Sequence, residues 1–235
     1  SEEDKIAEEL KETLKRYRDR LEEIRKELED KLREYEKRLE DLARELEKKL
    51  RKLEARDVNV RELLKVLRDV VRAIEKLLRE NLKVVEDVLR AVRRILEENL
   101  KVVEEILRRV LKILREVKDE ERARREIEKI VRKLEEVDKK IEEDVRELKR
   151  RLEEANKKLR EDLKELKREL ERVLRDRNVD EDVRRVVREL LRKLEDILRE
   201  SEETNKETLE KIDEILKESE RTNREVIRKL KETTD

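Results

Sequence analysis

Residues 64–81 read LKVLRDVVRAIEKLLREN, residues 82–99 read LKVVEDVLRAVRRILEEN, and residues 100–117 read LKVVEEILRRVLKILREV. The three lines align without a gap, so the period is 18 residues. Five turns of an ordinary α-helix, at about 3.6 residues each, give that length. A seven-residue repeat imposes a left-handed supercoil and an 11-residue repeat a right-handed one. This repeat imposes neither, so a straight helix is expected. Two apolar residues recur in nearly every turn, which neither a disordered segment nor a solitary charged helix would carry. The segment requires a partner surface.

The same beat runs outward in both directions. Ile6, Leu10, Leu14, Tyr17, Leu21 and Ile24 step by three or four residues. Ile127, Val145 and Leu163 are 18 apart, as are Ser201 and Ser219, Thr204 and Thr222, and Asn205 and Asn223. Three places interrupt it. Residues 56–62 (RDVNVRE) and 175–181 (RDRNVDE) share the pattern R-D-x-N-V-x-E. In each, the asparagine suits an N-cap, with glutamate three residues on as the second half of a capping box: Asn59 with Glu62, and Asn178 with Glu181. The third interruption, Lys118-Asp119-Glu120, offers Asp119 as a cap, and Ser1 caps the first helix. Four helices follow, over about residues 2–55, 60–117, 120–175 and 179–233, each about 80 Å long at about 1.5 Å per residue. Short links make successive helices antiparallel neighbours. The expected fold is all-α, a straight, untwisted, antiparallel up-down-up-down four-helix bundle of helices about 55 residues long. It would form one domain over 1–235, built from hairpins 1–117 and 119–235. The apolar arc spans about 180° on the second helix but only about 100–140° on the others, and Lys and Arg stems widen the narrow ones.

Within those arcs lie residues that do not belong on an apolar face. Folding the chain at its turns places Tyr35, Asn81, Asn156 and Ser201 at one depth, about 23 residues from the end holding turns 56–59 and 175–178. Thr204, Asn205 and Thr208 fall close to them. Tyr17, Asn99, Asp138 and Ser219 share a second depth, about 41 residues down, with Thr222 and Asn223 beside them. Every helix thus supplies a polar group to each of two layers about 27 Å apart, and two buried hydrogen-bond networks are expected. A satisfied bond contributes only about 1 kcal/mol net, whereas an orphaned buried group costs about 1–3 kcal/mol. Such layers therefore select register and partner more than they add stability.

Composition excludes most chemistry. The chain has no Gly, Pro, Cys, His, Met, Trp or Phe, and its 69 basic and 69 acidic residues alternate along its length. Without His or Cys the usual zinc, haem and thiol sites cannot form, and the Glu-x-x-His pattern of a four-helix di-metal site is missing. Ser201 and Ser219 have no base to activate them, and no glycine-rich loop exists for phosphates. Asp138 reads as a network member rather than a cation ligand. No basic stripe suggests nucleic acid, no apolar run reaches the ~20 residues of a membrane span, and no signal peptide is expected. No enzymatic activity, cofactor, metal or small-molecule substrate is expected. No partner is required, the partner classes left being a second copy of the chain or another helical partner, and no compartment is indicated.

The 18-residue repeat, the paired R-D-x-N-V-x-E turns, the Gly- and Pro-free composition and the layered Asn, Ser, Thr and Tyr residues carry a resemblance over the whole chain. It resembles the family of de novo designed helical bundles with buried hydrogen-bond networks, and within it designed heterodimers of two helical hairpins. The resemblance implies a parametrically generated backbone and a scaffolding or binding purpose. In that family the hairpins are usually separate chains, whereas here Lys118–Glu120 joins them. A structural scaffold is the first expectation and an interaction module the second, with hairpins pairing or exchanging between chains.

Overall fold

A chain rich in Leu, Glu, Lys and Arg and free of Gly and Pro has little reason to leave the helical basin. The computed structural model describes residues 2–54 and 61–234, and the fold there is all-α. Four helices occupy it: α1 (Glu2–Glu54), α2 (Arg61–Glu116), α3 (Glu120–Arg175) and α4 (Glu181–Thr234). Exposed i,i+4 pairs such as Arg51–Glu47, Arg93–Glu97 and Arg146–Glu142 line their outer faces, each contributing a few tenths of a kcal/mol to the helix.

By contacts, the chain divides into two compact units. The first comprises Ser1–Leu28, Val88–Arg150 and Leu209–Asp235, and the second comprises Glu29–Asp87 and Arg151–Thr208. Each unit takes a segment from all four helices. In the first, Val103, Ile106 and Val110 of α2 pack with Ile127, Ile130 and Leu134 of α3 and with Val226 and Leu230 of α4. In the second, Leu46 and Leu50 of α1 join Leu67, Ile74 and Leu78 of α2, Leu163 and Leu170 of α3, and Val187 and Leu190 of α4. Fully burying such a side chain is favourable by about 1.5–3 kcal/mol, so adjacent helices are held by their apolar stripes.

The turns differ in part from the expectation. Between α2 and α3 the helical bonds run on to Val117, whose N–H reaches the Ile113 carbonyl at 3.0 Å, and resume with Ala123 N–H on Asp119 O at 3.0 Å. Only Lys118 lies between. Asp119 precedes α3, and its Oδ1 accepts the Glu121 N–H at 3.1 Å. The α3–α4 turn corrects the reading of Asn178 and Glu181. Helix α4 begins at Glu181, and the first helical bond there joins Arg184 N–H to the Asp180 carbonyl at 3.0 Å. The cap position therefore belongs to Asp180. Asn178 is an exposed turn residue, its N–H held by Asp176 Oδ1 at 3.1 Å, and Glu181 pairs with Arg188 rather than completing a capping box. The physical reason is the preceding aspartate: a local side-chain bond from Asp176 tightens a turn around 176–179 and delays the helix. No residue described has a positive φ. Glu62 lies exposed in the first turn of α2. Asn59, its turn and Ser1 lie outside the described residues.

Charged pairs between helices repeat the 18-residue beat. Lys193, Lys211 and Lys229 of α4 meet Glu45, Glu27 and Glu9 of α1. Lys49 and Lys31 of α1 meet Glu189 and Glu207 of α4, at 2.7 and 3.1 Å. The third position in that series is Thr13, whose Oγ1 lies 3.3 Å from Glu225 Oε1 and 3.0 Å from the Glu9 carbonyl. Between α3 and α4, Lys167 meets Glu195 at 2.9 Å, and Lys149 meets Asp213. Each step of 18 up α4 is matched by a step of 18 down α1 or α3. Apart from that of buried Lys229, such part-exposed pairs add at most about 1 kcal/mol each, so they speak more to register than to stability.

Candidate functional site

A side-chain amide on the buried face of a helix finds its partner on another helix, whereas a buried hydroxyl can also bond the carbonyl four residues back on its own. In the second unit that condition assembles one layer. Tyr35 Oη of α1 and Ser201 Oγ of α4 lie 2.9 Å apart. Asn81 of α2 and Asn205 of α4 face each other as reciprocal amides, Asn81 Nδ2 donating to Asn205 Oδ1 at 3.4 Å and Asn205 Nδ2 to Asn81 Oδ1 at 3.2 Å. Asn205 Nδ2 also donates to Asn156 Oδ1 of α3 at 3.0 Å, and a long 3.5 Å contact links Asn81 Nδ2 to Tyr35 Oη.

The first unit repeats this layer at an 18-residue step on every helix. Asn99 Nδ2 lies 3.4 Å from Tyr17 Oη, 3.2 Å from Ser219 Oγ and 3.3 Å from Asn223 Oδ1. Asn223 Nδ2 donates back to Asn99 Oδ1 at 3.2 Å and also to Asp138 Oδ1 at 3.2 Å. Asn81, Asn99, Ser201, Ser219, Asn205 and Asn223 are all buried, as are both tyrosines. Asp138 and Asn156 are half-buried, at the margin of their layers. The only change of residue type among the five bonded positions is Asp138 in place of Asn156.

Not every residue expected in a layer joins one. Thr208 and Thr222 are buried, but their hydroxyls donate to the carbonyls of Thr204 (2.8 Å) and Glu218 (2.9 Å) on their own helix. A threonine inside a helix can place Oγ1 against the carbonyl four residues back, and these two do so. Half-buried Thr204 supplies that backbone carbonyl. Conversely, sequence reading passed over Thr13 and Lys229, both buried. Lys229 Nζ sits 3.1 Å from Glu9 and 3.9 Å from Glu225. Their signal was present in the 18-residue series Lys49, Lys31, Thr13 and Lys193, Lys211, Lys229.

The electrostatics follow from burial. Desolvation raises the phenol pKa of Tyr17 and of Tyr35 above its ordinary 10.0, against the lowering effect of their Ser and Asn partners. Both phenols are therefore neutral donors and acceptors at physiological pH. Desolvation also raises Asp138, opposed by the Asn223 bond and Arg224 and assisted by Glu142.

Among the described residues no group of three or more His, Cys, Asp or Glu could hold a metal ion, and no helix is long and apolar enough to cross a membrane. What the layers can do chemically is match donors with acceptors across helices. No family model, no curated protein and no solved structure matches the chain.

Proposed function

We propose that this chain is a de novo designed structural scaffold, non-enzymatic, whose two buried hydrogen-bond layers specify helix register and pairing. The observation that carries the reading is the repetition of one layer at an 18-residue step on all four helices at once. Within each unit it supports an up-down-up-down arrangement. Partners of α4 rise in number as those on α1 and α3 fall, whereas Asn81 with Asn205 and Asn99 with Asn223 rise together. That the same partners recur after five turns supports helices near the ordinary 3.6-residue period, without supercoiling.

The test is a spin-label distance measurement between α2 and α4 in the chain carrying Asn81→Leu and Asn99→Leu. Helicity should persist while the single sharp distance broadens into several, because one-turn slips no longer orphan polar groups. A distance as sharp as in the parent would remove register selection from the networks.

A second reading, pairing between chains, is favoured by the single residue Lys118 separating the hydrogen-bonded ends of α2 and α3. Straightening that link would let two chains exchange hairpins. Packing of α2 against α3 within the first unit's core supports the closed monomer instead. Light scattering on an absolute scale separates them: 29.0 kDa for the monomer, and twice that for the exchanged form.

A further inference from the structure

The 18-residue repeat lets each position in one unit be compared with its counterpart in the other. In the second unit Asn156 receives the Asn205 amide, and four residues on, Arg160 Nε meets Glu202 Oε1 of α4 at 2.6 Å. The counterparts in the first unit are Asp138, Glu142 and Glu220. An amide, a guanidinium and a carboxylate have become three carboxylates. Asp138 bonds to the neutral Asn223 amide at 3.2 Å, and the pairing that neutralised Glu202 is absent from this position because Glu142 stands where Arg160 does.

Other charges face the cluster. On α3, Glu142 pairs outward with Arg146 at 3.3 Å, and Glu135 and Lys139 flank Asp138. On α4, Arg224 lies 4.0 Å from Glu220, and Arg228, Lys231 and Glu232 line the adjoining cleft. Tyr17 of α1 feels the Asp138 charge, and α2 presents the neutral Asn99. These cations moderate the repulsion, but the pairs of Arg146 with Glu142 and of Arg224 with Glu220 each lie within one helix, unlike the cross-helix pair that Arg160 makes.

We propose that the Asp138 layer is a proton-operated latch on the α3–α4 contact of the first unit, weakened at neutral pH by three converging carboxylates and tightened when Asp138 takes a proton from solvent. The neutral acid keeps a carbonyl for Asn223 and gains an O–H to donate to a neighbouring carboxylate, as when two carboxyl groups share one proton. The Asn156 layer has no such response. Burial raises Asp138 above 3.8, and burial together with Asp138 and Glu142 raises Glu220 above 4.5. The sign follows: a raised folded value means that stability is fully present below the unfolded value and is lost as pH rises through the folded one.

The experiment is a carbon-detected NMR titration of the Asp138 carboxyl in the full chain, together with amide exchange of α3 and α4 in both units. The Asp138 midpoint is expected above 3.8. Protection around Asp138 and Asn223, relative to that around Asn156 and Asn205, should rise several-fold as pH falls through that midpoint. Asp138→Asn should leave the ratio flat. Glu142→Arg, which restores the Arg160 pattern, should lower the Asp138 midpoint, and it decides the matter alone if the first variant folds poorly. A midpoint at or below 3.8, an unchanged ratio in the parent, or the same change in Asp138→Asn would overturn the latch.

Discussion

Replacing Asn81 and Asn205 with leucine, singly and together, isolates what a reciprocal amide pair does in a helical core. Asn81→Leu removes the acceptor at 3.2 Å from Asn205 Nδ2 and the donor at 3.4 Å from Asn205 Oδ1. Asn205 Nδ2 keeps Asn156 at 3.0 Å, but its buried Oδ1 loses its cross-helix donor. One orphaned buried acceptor costs about 1–3 kcal/mol, offset in part by the added apolar contact of leucine. The single variant should lose about 1–2 kcal/mol on these terms. In the double variant both partners are apolar, a change that can be nearly neutral. Tyr35 and Ser201 still bond at 2.9 Å, and half-buried Asn156 can turn to water. If each single variant loses about 1–2 kcal/mol and the double is near neutral, the coupling between the two substitutions is about 2–4 kcal/mol. The assay is guanidinium unfolding followed by helical circular dichroism, in which stability is read from the midpoint at constant slope. Additive effects, or a single variant more stable than the parent, would refute the reasoning, because they would mean that neither amide depends on the other.

Two further outcomes are expected. Asp119→Ala removes the carboxylate that accepts the Glu121 N–H, and should cost about 0.5–2 kcal/mol in thermal or chemical unfolding. Glu45, Glu189 and Glu195 are lowered below 4.5, first by bonds to Lys193, Lys49 and Lys167 respectively. Their contribution is present above 4.5 and is lost as pH falls through the folded values. Acid should weaken these α1–α4 and α3–α4 pairs, and high salt should shrink that acid response because the groups are at least partly exposed to solvent. Unfolding curves from pH 7 to 3, with and without ~1 M salt, read both effects.

The helices were legible because their signal is redundant. Each stripe residue such as Val85 or Val103 repeats a neighbour 18 positions away, and a period seen three times in α2 leaves no choice of secondary structure. The layers were legible for a different reason. Polar residues within an apolar arc are costly unless paired, so depth along the helices was enough to group Tyr35, Asn81, Asn156 and Ser201. What sequence could not supply was local competition for the same donors. Depth alone says nothing of whether the Thr208 hydroxyl turns to its own helix or across to another. Asn178 failed similarly: an asparagine three residues before a glutamate matches a capping box in pattern, but Asp176 captures its N–H first. The Lys–Glu series between α1 and α4 was equally periodic and went unread, because charged residues on a helix default to solvent and pair across helices only when a neighbour is known.

An exact repeat is degenerate: a helix moved along its neighbour by 18 residues meets the same partners again. The departures from the repeat are therefore where discrimination against that shift resides. In the native pairing Lys149 of α3 meets Asp213 of α4. The next member of the α4 series is Lys231 rather than an acid, so a one-repeat shift in that direction sets Lys149 against a like charge. A shift the other way sets Glu142 opposite Glu202, where Arg160 stands in the native pairing. Like-charge contacts of this kind act by penalising the wrong alignment rather than by stabilising the right one. Within one chain, the short links at Lys118 and at residues 176–180 already forbid an 18-residue shift. A code that rejects it is redundant for a closed monomer and necessary for hairpins that must find each other as separate molecules. In the joined chain the charge departures therefore reinforce an alignment that the links already hold, and their effect on alignment would show only with the links cut.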